Sequence, residues 1–423
     1  MNILLLSVLA SQALAKPLGF DLYGPTTLED LKPTPKSRED LLRGRKLQVD
    51  GSLEKSTHIL ADAFGGVPGF YHSVASGDPT KDSVIIWTRF TPASVDEEIT
   101  LEFRMAQVSD TVDEGILLDP ANADLKRGLV TVTSETDFVA KIDVTGLPSD
   151  AHFVYVFTDG TTTSDVGLTR TAPEGDVSQL TYAFFSCSHF SNGFFHGYDM
   201  ASVVQDLDLV LMLGDYYYEY GTYGTYAKDA AEVRDPLLLP VWEVIDLQDY
   251  RNRHATYVSG DEGLRNLRRR VPIMATWDDH ETTNDSWGNA EQGAGAENHQ
   301  EVCPVDSLAA DADKAEAQCD RDEGDAVERF TAAAQAYWEW MPIRHVAGSM
   351  GQIETGTLTK VLEWGNLATI VGLDTRMSHR TEPTLGGSGT WRMLLSVGQN
   401  WHLTHSLSMC RSSQPSTTRD TAS

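Results

Sequence analysis

The sequence predicts an α+β chain in two parts: a small antiparallel β-sandwich over residues 67–173, then an α/β unit over 176–405. Three observations predict it. Short runs that alternate apolar and polar residues crowd the stretch Ser83–Asp159, as half-buried strands do. After Leu180 the texture changes to nearly continuous apolar runs, which mark strands buried on both faces, interleaved with helix-length segments. The chain has 423 residues, more than one core usually organises.

Each element follows from its residues. Ser83–Thr91 is β-branched and aromatic, and Ile99–Arg104, Gly128–Thr133, Phe138–Val144 and Phe153–Asp159 follow it as short strands. Gly77-Asp78-Pro79, Gly146-Leu147-Pro148-Ser149 and Asp159-Gly160 supply turns, because Gly, Pro and Asp adopt turn dihedrals at little cost. Thr171–Gly175 reads as a linker. Beyond it, Thr181–Ser186, Leu207–Leu213 and Val271–Thr276 read as buried strands. Gly197–Gln205, Asp246–Tyr257 and Gly263–Arg270 read as helices, and Asp325–Trp340 as an amphipathic helix. Trp287 to Glu323 is a Gly-, Ala- and acid-rich insertion, and Gln352–Glu363 and Leu367–Asp374 are further strands.

Charge and termini bound the partners. The formal net charge of −29 excludes nonspecific binding to nucleic acid or to an anionic membrane, which needs basic surface. It also means that a phosphate would be repelled unless bound cations or local arginines reverse the field. Met1–Ala15, with its apolar run and Ala13-Leu14-Ala15 cleavage pattern, reads as a signal peptide, so a secreted or periplasm-like location is expected. Residues 16–66 read as a leader. No other run reaches the roughly 18 to 20 apolar residues that span a bilayer. A monomer is expected. Of the four cysteines, Cys303 and Cys319 lie in the acidic insertion and are expected to form a disulfide in a secreted chain.

Three strand ends carry the chemistry. Gly214-Asp215 follows one buried strand directly, and a carboxylate there faces the crevice where α/β proteins bind ligands. Asp215 can bridge two cations, one per oxygen, or it can cap a following helix. Tyr218, three residues on, falls on the same face in a helical turn, and its phenolate needs a strong Lewis acid such as ferric iron to ionise near neutral pH. Tyr216, Tyr217 and Tyr220 read as core aromatics. Trp277-Asp278-Asp279-His280-Glu281-Thr282-Thr283-Asn284-Asp285 follows a second strand. Hard oxygens there suit calcium or magnesium, and the imidazole suits a transition metal or proton transfer. Cys187, in Ser186-Cys187-Ser188-His189, ends a third strand; it is either an iron ligand or a buried structural cysteine. The set has the form of a two- or three-metal hydrolase in which a metal-bound water or hydroxide attacks phosphorus.

Together these residues resemble the PhoD-like alkaline phosphatases, a branch of the calcineurin-like metallophosphoesterases. The resemblance runs from about 67 to 405 through Phe70–Pro92, Val166–Pro173, Ser186–His189, Gly214–Gly221, Asp249–Tyr257, Pro272–Asn284 and Gly372–Arg376, in the family's order. It implies an Ig-like N-terminal β-domain and a catalytic αββα sandwich. It implies Fe3+ held with the help of Cys187, Asp215 and Tyr218, and Ca2+ nearby with Asp215 shared and Asn284 contributing. Asp279 and His280 match the family signature and are the expected catalytic pair, with Asp279 also an expected metal ligand. Arg251, Arg253 and Arg376 match recurrent positions and are expected as ion-pair residues first and phosphate clamps second. The implied activity is hydrolysis of phosphomonoesters or phosphodiesters. Family members continue past Gly398-Gln399 to further strand-end ligands, whereas residues 406–423 here are polar and read as disordered or aberrant. The alternatives are a truncated, inactive metal- or partner-binding paralogue and a phospholipase-type diesterase.

Overall fold

A computed structural model of the chain describes residues 58–108, 117, 125–221, 238–240, 242–289, 293–295, 324–344, 358–376, 394–397 and 401–403. The signal-peptide reading, most of the leader and the insertion, Cys303, Cys319 and the 406–423 tail lie outside these residues.

Strands in the first part are either buried on one face, where apolar and polar residues alternate, or buried throughout, where they do not. Strands β1 (Val74–Gly77), β2 (Ser83–Arg89), β3 (Ile99–Gln107), β4 (Lys126–Val132), β5 (Val139–Thr145), β6 (His152–Thr158) and β7 (Gly167–Arg170) fill the first part. A four-stranded antiparallel sheet has the order β4-β3-β6-β7. Leu101, Phe103 and Met105 of β3, with Phe153, Tyr155 and Phe157 of β6, occupy every second position and share one buried cluster with Val74, Val84, Ile86, Ala140 and Val144 from β1, β2 and β5.

The second part adds β8 (Tyr182–Phe185), α1 (His196–Ser202), β9 (Leu209–Leu213), α2 (Leu247–Gly260), α3 (Glu262–Arg270), β10 (Ile273–Thr276), the β11–β12 pair (Trp287–Asn289, Gly293–Gly295) and α4 (Ala326–Trp340). It ends with β13 (Lys360–Trp364), β14 (Ala368–Gly372), β15 (Leu394–Val397) and β16 (Trp401–Leu403). Asp246, Asp261 and Asp325 start α2, α3 and α4 by accepting backbone N–H groups of the first turn. No helix among the described residues is long and apolar enough to cross a membrane.

One sheet runs through both parts. Its order is β5-β2-β1-β10-β9-β8, and β8, β9 and β10 pair in parallel. β1 joins them by pairing in parallel with β10 at Gly77 and Ile273. Gly77 permits this approach: a Cβ there would lie 2.2 Å from the Pro342 carbonyl oxygen and 2.4 Å from that of Ile273. On one face of the parallel strands, Val210, Met212, Ile273 and Ala275 pack against Tyr198, Leu264, Leu267, Phe330 and Tyr337 from the helices. On the other, Leu209, Leu211 and Met274 pack against Leu362, Trp364, Ala368 and Ile370 of the sheet β13-β14-β15-β16. Helices, six-stranded sheet and second sheet thus form successive layers of an α+β fold.

Where α2, α4 and the β1–β2 strands meet, two histidines are buried among cations. His72 and His254 are fully buried, and their ring nitrogens have no hydrogen-bond partner among the described residues. His72 meets the Trp340 ring edge-on at 5.1 Å, and His254 stacks on it at 5.9 Å. Burial pushes both imidazoles well below their ordinary range; Arg89, Arg265 and Arg268 push His72 the same way, Arg268 does so for His254, and only Asp137 opposes. A depressed folded value means that, as pH falls below about 6.5, the unfolded chain takes up two protons that the folded chain refuses. The share of stability that these two imidazoles contribute is therefore expected to fall with pH on that limb, by at most about 1.4 kcal/mol per pH unit for each. Denaturant titrations at pH 7.5, 6.0 and 5.0 check this: His254→Phe should halve the contribution, and an unchanged acid slope would refute it.

Candidate metal centre

The parallel strands β8, β9 and β10 deliver their carboxyl ends to one edge, the usual ligand edge of such sheets. Cys187 lies just past β8, Gly214-Asp215 directly after β9, and Trp277 to His280 directly after β10. Two of these residues stand in a backbone region that non-glycine residues rarely adopt: φ is 58° at Cys187 and 50° at Asp215. Their turns are tied together, since the Cys187 N–H donates to the Gly214 carbonyl at 3.4 Å and the Ser188 N–H to that of Asp215 at 2.8 Å. Gly214 has φ 97°, and a Cβ on it would meet the Asp278 nitrogen at 2.4 Å. Gly214→Ala is therefore expected to push the two strand ends apart and weaken metal affinity by about 10–100-fold, read by chelator competition.

Buried Glu281 holds the same two ends. Its carboxylate accepts the N–H of Asp215 at 3.1 Å, of Tyr216 at 2.6 Å and of Asp278 at 2.8 Å. The Tyr217 hydroxyl donates to the Glu281 carbonyl at 2.6 Å, so this tyrosine is a core strut as expected.

Asp215 is the centre of the constellation. Its Oδ2 accepts from the Tyr218 hydroxyl at 3.2 Å and from the Cys187 thiol at 3.5 Å. Its Oδ1 is buried and has no hydrogen-bond partner among the described residues. Asp215, Asp279 and His280 each offer one ligand atom, and these atoms lie within 4.8 Å of one another. Tyr218 reaches Asp215 from an irregular loop, not from the expected helical turn. Its ring lies 4.2 Å from that of His280 and 4.6 Å from that of His189. Asp279 accepts the Asp285 N–H at 2.6 Å and pairs with Arg376 at 3.3 Å, and Asp278 also pairs with Arg376. His280 Nδ1 sits 2.7 Å from Glu219 Oε2, and the Asn284 N–H donates to Glu219 Oε1 at 2.6 Å.

The electrostatics show a centre short of positive charge. Burial, with Glu281 and Asp279 nearby, pushes the Asp215 carboxyl up to about 7 against the pull of His280. Burial, Asp279 and Asp215 push Asp278 up to about 8 although Arg376 opposes. Burial acts on Asp279 as well, but Arg376 and His280 outweigh it and hold that carboxyl below its ordinary value. Protons would thus stand in near neutral pH for cations that the carboxylates lack. The unpartnered Asp215 oxygen and the mixed oxygen, nitrogen and sulfur donors fit a metal centre.

The arginines divide by partner. Arg251 pairs with Glu339 through two contacts of 2.7 Å, and Arg376 pairs with the centre's own carboxylates. Arg253 is fully buried and donates instead to the backbone carbonyls of Tyr218, Leu239, Tyr220, Pro240 and Trp242. Sequence reasoning missed Glu219 and named Glu281 within the Trp277–Asp285 run without a role of its own; the signal for both is that acids so close to strand ends must be hydrogen-bonded if buried.

A layered α+β fold with an acidic centre at the ends of parallel strands defines a protein fitted to bind metal, and comparison narrows this. Residues 182–414 match the PhoD-like phosphatase family, and residues 57–173 match the PhoD-like phosphatase N-terminal domain. The chain belongs to the PhoD-like phosphatase family. It is 32% identical over 328 residues to alkaline phosphatase D of Bacillus subtilis (strain 168), which covers 75% of this chain and 48% of that protein. A solved structure titled "Structure of PhoD" is similar with a TM-score of 0.58 and 28% identity, over 77% of this chain and 55% of that one. The chain thus spans about half the length of the relative and of the solved structure it matches.

Proposed function

We propose that the chain is a secreted, metal-dependent phosphoesterase that releases phosphate from phosphomonoesters or phosphodiesters. The observation that carries this is the buried, unpartnered oxygen of Asp215 beside Asp279 and His280. In this reading Cys187, Asp215 and Tyr218 hold Fe3+, and Asp215, Asp279 and Asn284 hold Ca2+. The N-terminal part is an Ig-like domain, and Cys303 pairs with Cys319. Cations held there would supply Lewis acidity, offsetting the −29 charge toward a phosphate and easing deprotonation of an attacking water. Arg376 keeps Asp278 and Asp279 oriented, and Glu281 fixes the strand ends that carry Asp215 and Asp278. His280, buried at the edge of the centre, is placed to hand a proton to the leaving oxygen.

The test is phosphate release from p-nitrophenyl phosphate and bis(p-nitrophenyl) phosphate, with iron and calcium measured on the same preparation. Turnover that disappears with a chelator and returns with calcium supports the reading. Stoichiometric metal without turnover overturns the enzyme and leaves a metal-binding protein.

A further inference from the structure

We propose that Glu219 is the positioning residue of this centre: its two carboxylate oxygens hold the His280 ring and the Asn284 backbone, and so fix which imidazole nitrogen faces Asp215 and Asp279. The inference rests on the metal-centre reading above. Glu219 is completely buried, yet each of its oxygens is used. Oε2 lies 2.7 Å from His280 Nδ1, and Oε1 accepts the Asn284 N–H at 2.6 Å. One side chain thus grips the Trp277–Asp285 loop at two points four residues apart. An ionised carboxylate only accepts, so the nitrogen facing it must carry a proton. His280 then keeps N–H at Nδ1 and turns Nε2 toward the cluster, where it can hold or pass a proton; a partnered carboxylate fixes the orientation of an imidazole in this way.

Glu219 is itself held in place. Arg253 donates to the carbonyls of Tyr218 and Tyr220, the residues on either side of it. The carboxylate therefore sits on a clamped segment that also carries Asp215 and Tyr218. Asp215 comes from the β9 end and His280 from the β10 end, and Glu219 is the side chain that sets the second against the first. Glu281 does the corresponding work on backbone amides alone. The two buried glutamates therefore have separate roles, one fixing the strand ends and the other fixing a ring.

The experiment uses the full chain with Glu219→Gln and Glu219→Ala. Chelator competition with metal analysis reads the centre. Long-range 1H–15N spectra of metal-free, 15N-histidine-labelled protein read the ring, with His280→Gln to assign its signals. Expected are a Glu219→Ala metal affinity about 10–100-fold weaker, with Glu219→Gln between it and the starting protein. Also expected is a hydrogen-bonded His280 Nδ1–H signal in the starting protein that moves upfield and exchanges faster with water in both variants. An Nδ1 signal unchanged in both variants overturns the proposal. A starting protein that binds no metal but shows the Nδ1 shift refutes the metal-centre reading and leaves Glu219 as the positioning residue of the ring. Unchanged near-ultraviolet circular dichroism in Glu219→Gln separates either result from misfolding.

Discussion

Asp137→Ala is expected to lower the stability of the folded chain by about 3–5 kcal/mol, the size of effect seen when one partner of a buried ion pair is removed. Asp137 is buried, with φ 50°, and its carboxylate serves four donors. Arg89 reaches it through Nε at 3.1 Å and Nη2 at 2.8 Å, the Trp340 indole N–H at 3.1 Å, and His58 Nδ1 at 3.1 Å. Arg89 is fully buried, and its other contacts, the Thr91 hydroxyl at 3.0 Å and the Ile59 carbonyl at 3.1 Å, are neutral. Alanine would leave that guanidinium without a counter-charge beside the buried His72 and Trp340. Burial alone would raise the Asp137 carboxyl, but Arg89 and His58 hold it far below the usual carboxylate range. Its contribution is therefore complete above the unfolded value of about 3.9 and is lost only as pH falls below that, so the full effect shows at pH 7. Urea titration measures it. Asp137→Asn, which keeps some acceptor capacity, should fall between the two. Breaking the exposed Lys81–Glu174 pair should change little. An Asp137→Ala loss no larger than that of the exposed pair would show that the Arg89 contact adds nothing.

Local pattern carried the elements, and long-range pairing carried the rest. β2 lies where a β-branched and aromatic run places it, β3, β5 and β6 lie at the short runs read as strands, and α2, α3 and α4 begin at their aspartate caps, because such signals are written within a dozen residues. β1 and β7 have only four residues each, too few for periodicity to show. The pairing of Gly77 with Ile273 joins residues almost 200 positions apart, and no local feature announces it. It depends on backbone contact at a glycine, so the sheet that unites both parts of the chain is not legible in local sequence. The centre shows the same division. Cys187, Asp215 and Asp279 are visible as polar residues ending apolar runs. Spacing put Tyr218 on the face of Asp215 and the resemblance joined Cys187 to them, but that both meet one oxygen of Asp215 is not legible in the sequence. Glu219 acts across 61 and 65 positions, on His280 and Asn284. Glu281 acts across 66 and 65, on Asp215 and Tyr216. Nothing in the run Tyr216–Tyr220 distinguishes its one acid from a solvated side chain.

Asp215→Asn is expected to move function and stability in opposite directions. The substitution keeps size and shape but removes the charge. Phosphate release should fall by about 1,000-fold or more, equivalent to roughly 4 kcal/mol of lost transition-state stabilisation, because the donor group loses its central anionic ligand. Metal content should fall with it. In chelator the sign reverses. Burial and the neighbouring Glu281 and Asp279 raise the Asp215 carboxyl to about 7, so above that pH its ionised form opposes folding. A raised carboxylate leaves the penalty absent below the unfolded value of about 3.9 and complete above about 7. The metal-free variant at pH 8 should therefore be more stable than the metal-free starting chain, by an amount on the order of 1–3 kcal/mol. The metal-loaded comparison should favour the starting chain, since ligand binding to the folded state alone adds stability. This crossing separates a site built to hold cations from a structural carboxylate. A structural Asp215 would lose stability on substitution with and without chelator. A variant that keeps both its metal and its turnover would remove Asp215, and with it the strand-end centre, from the chemistry of this chain.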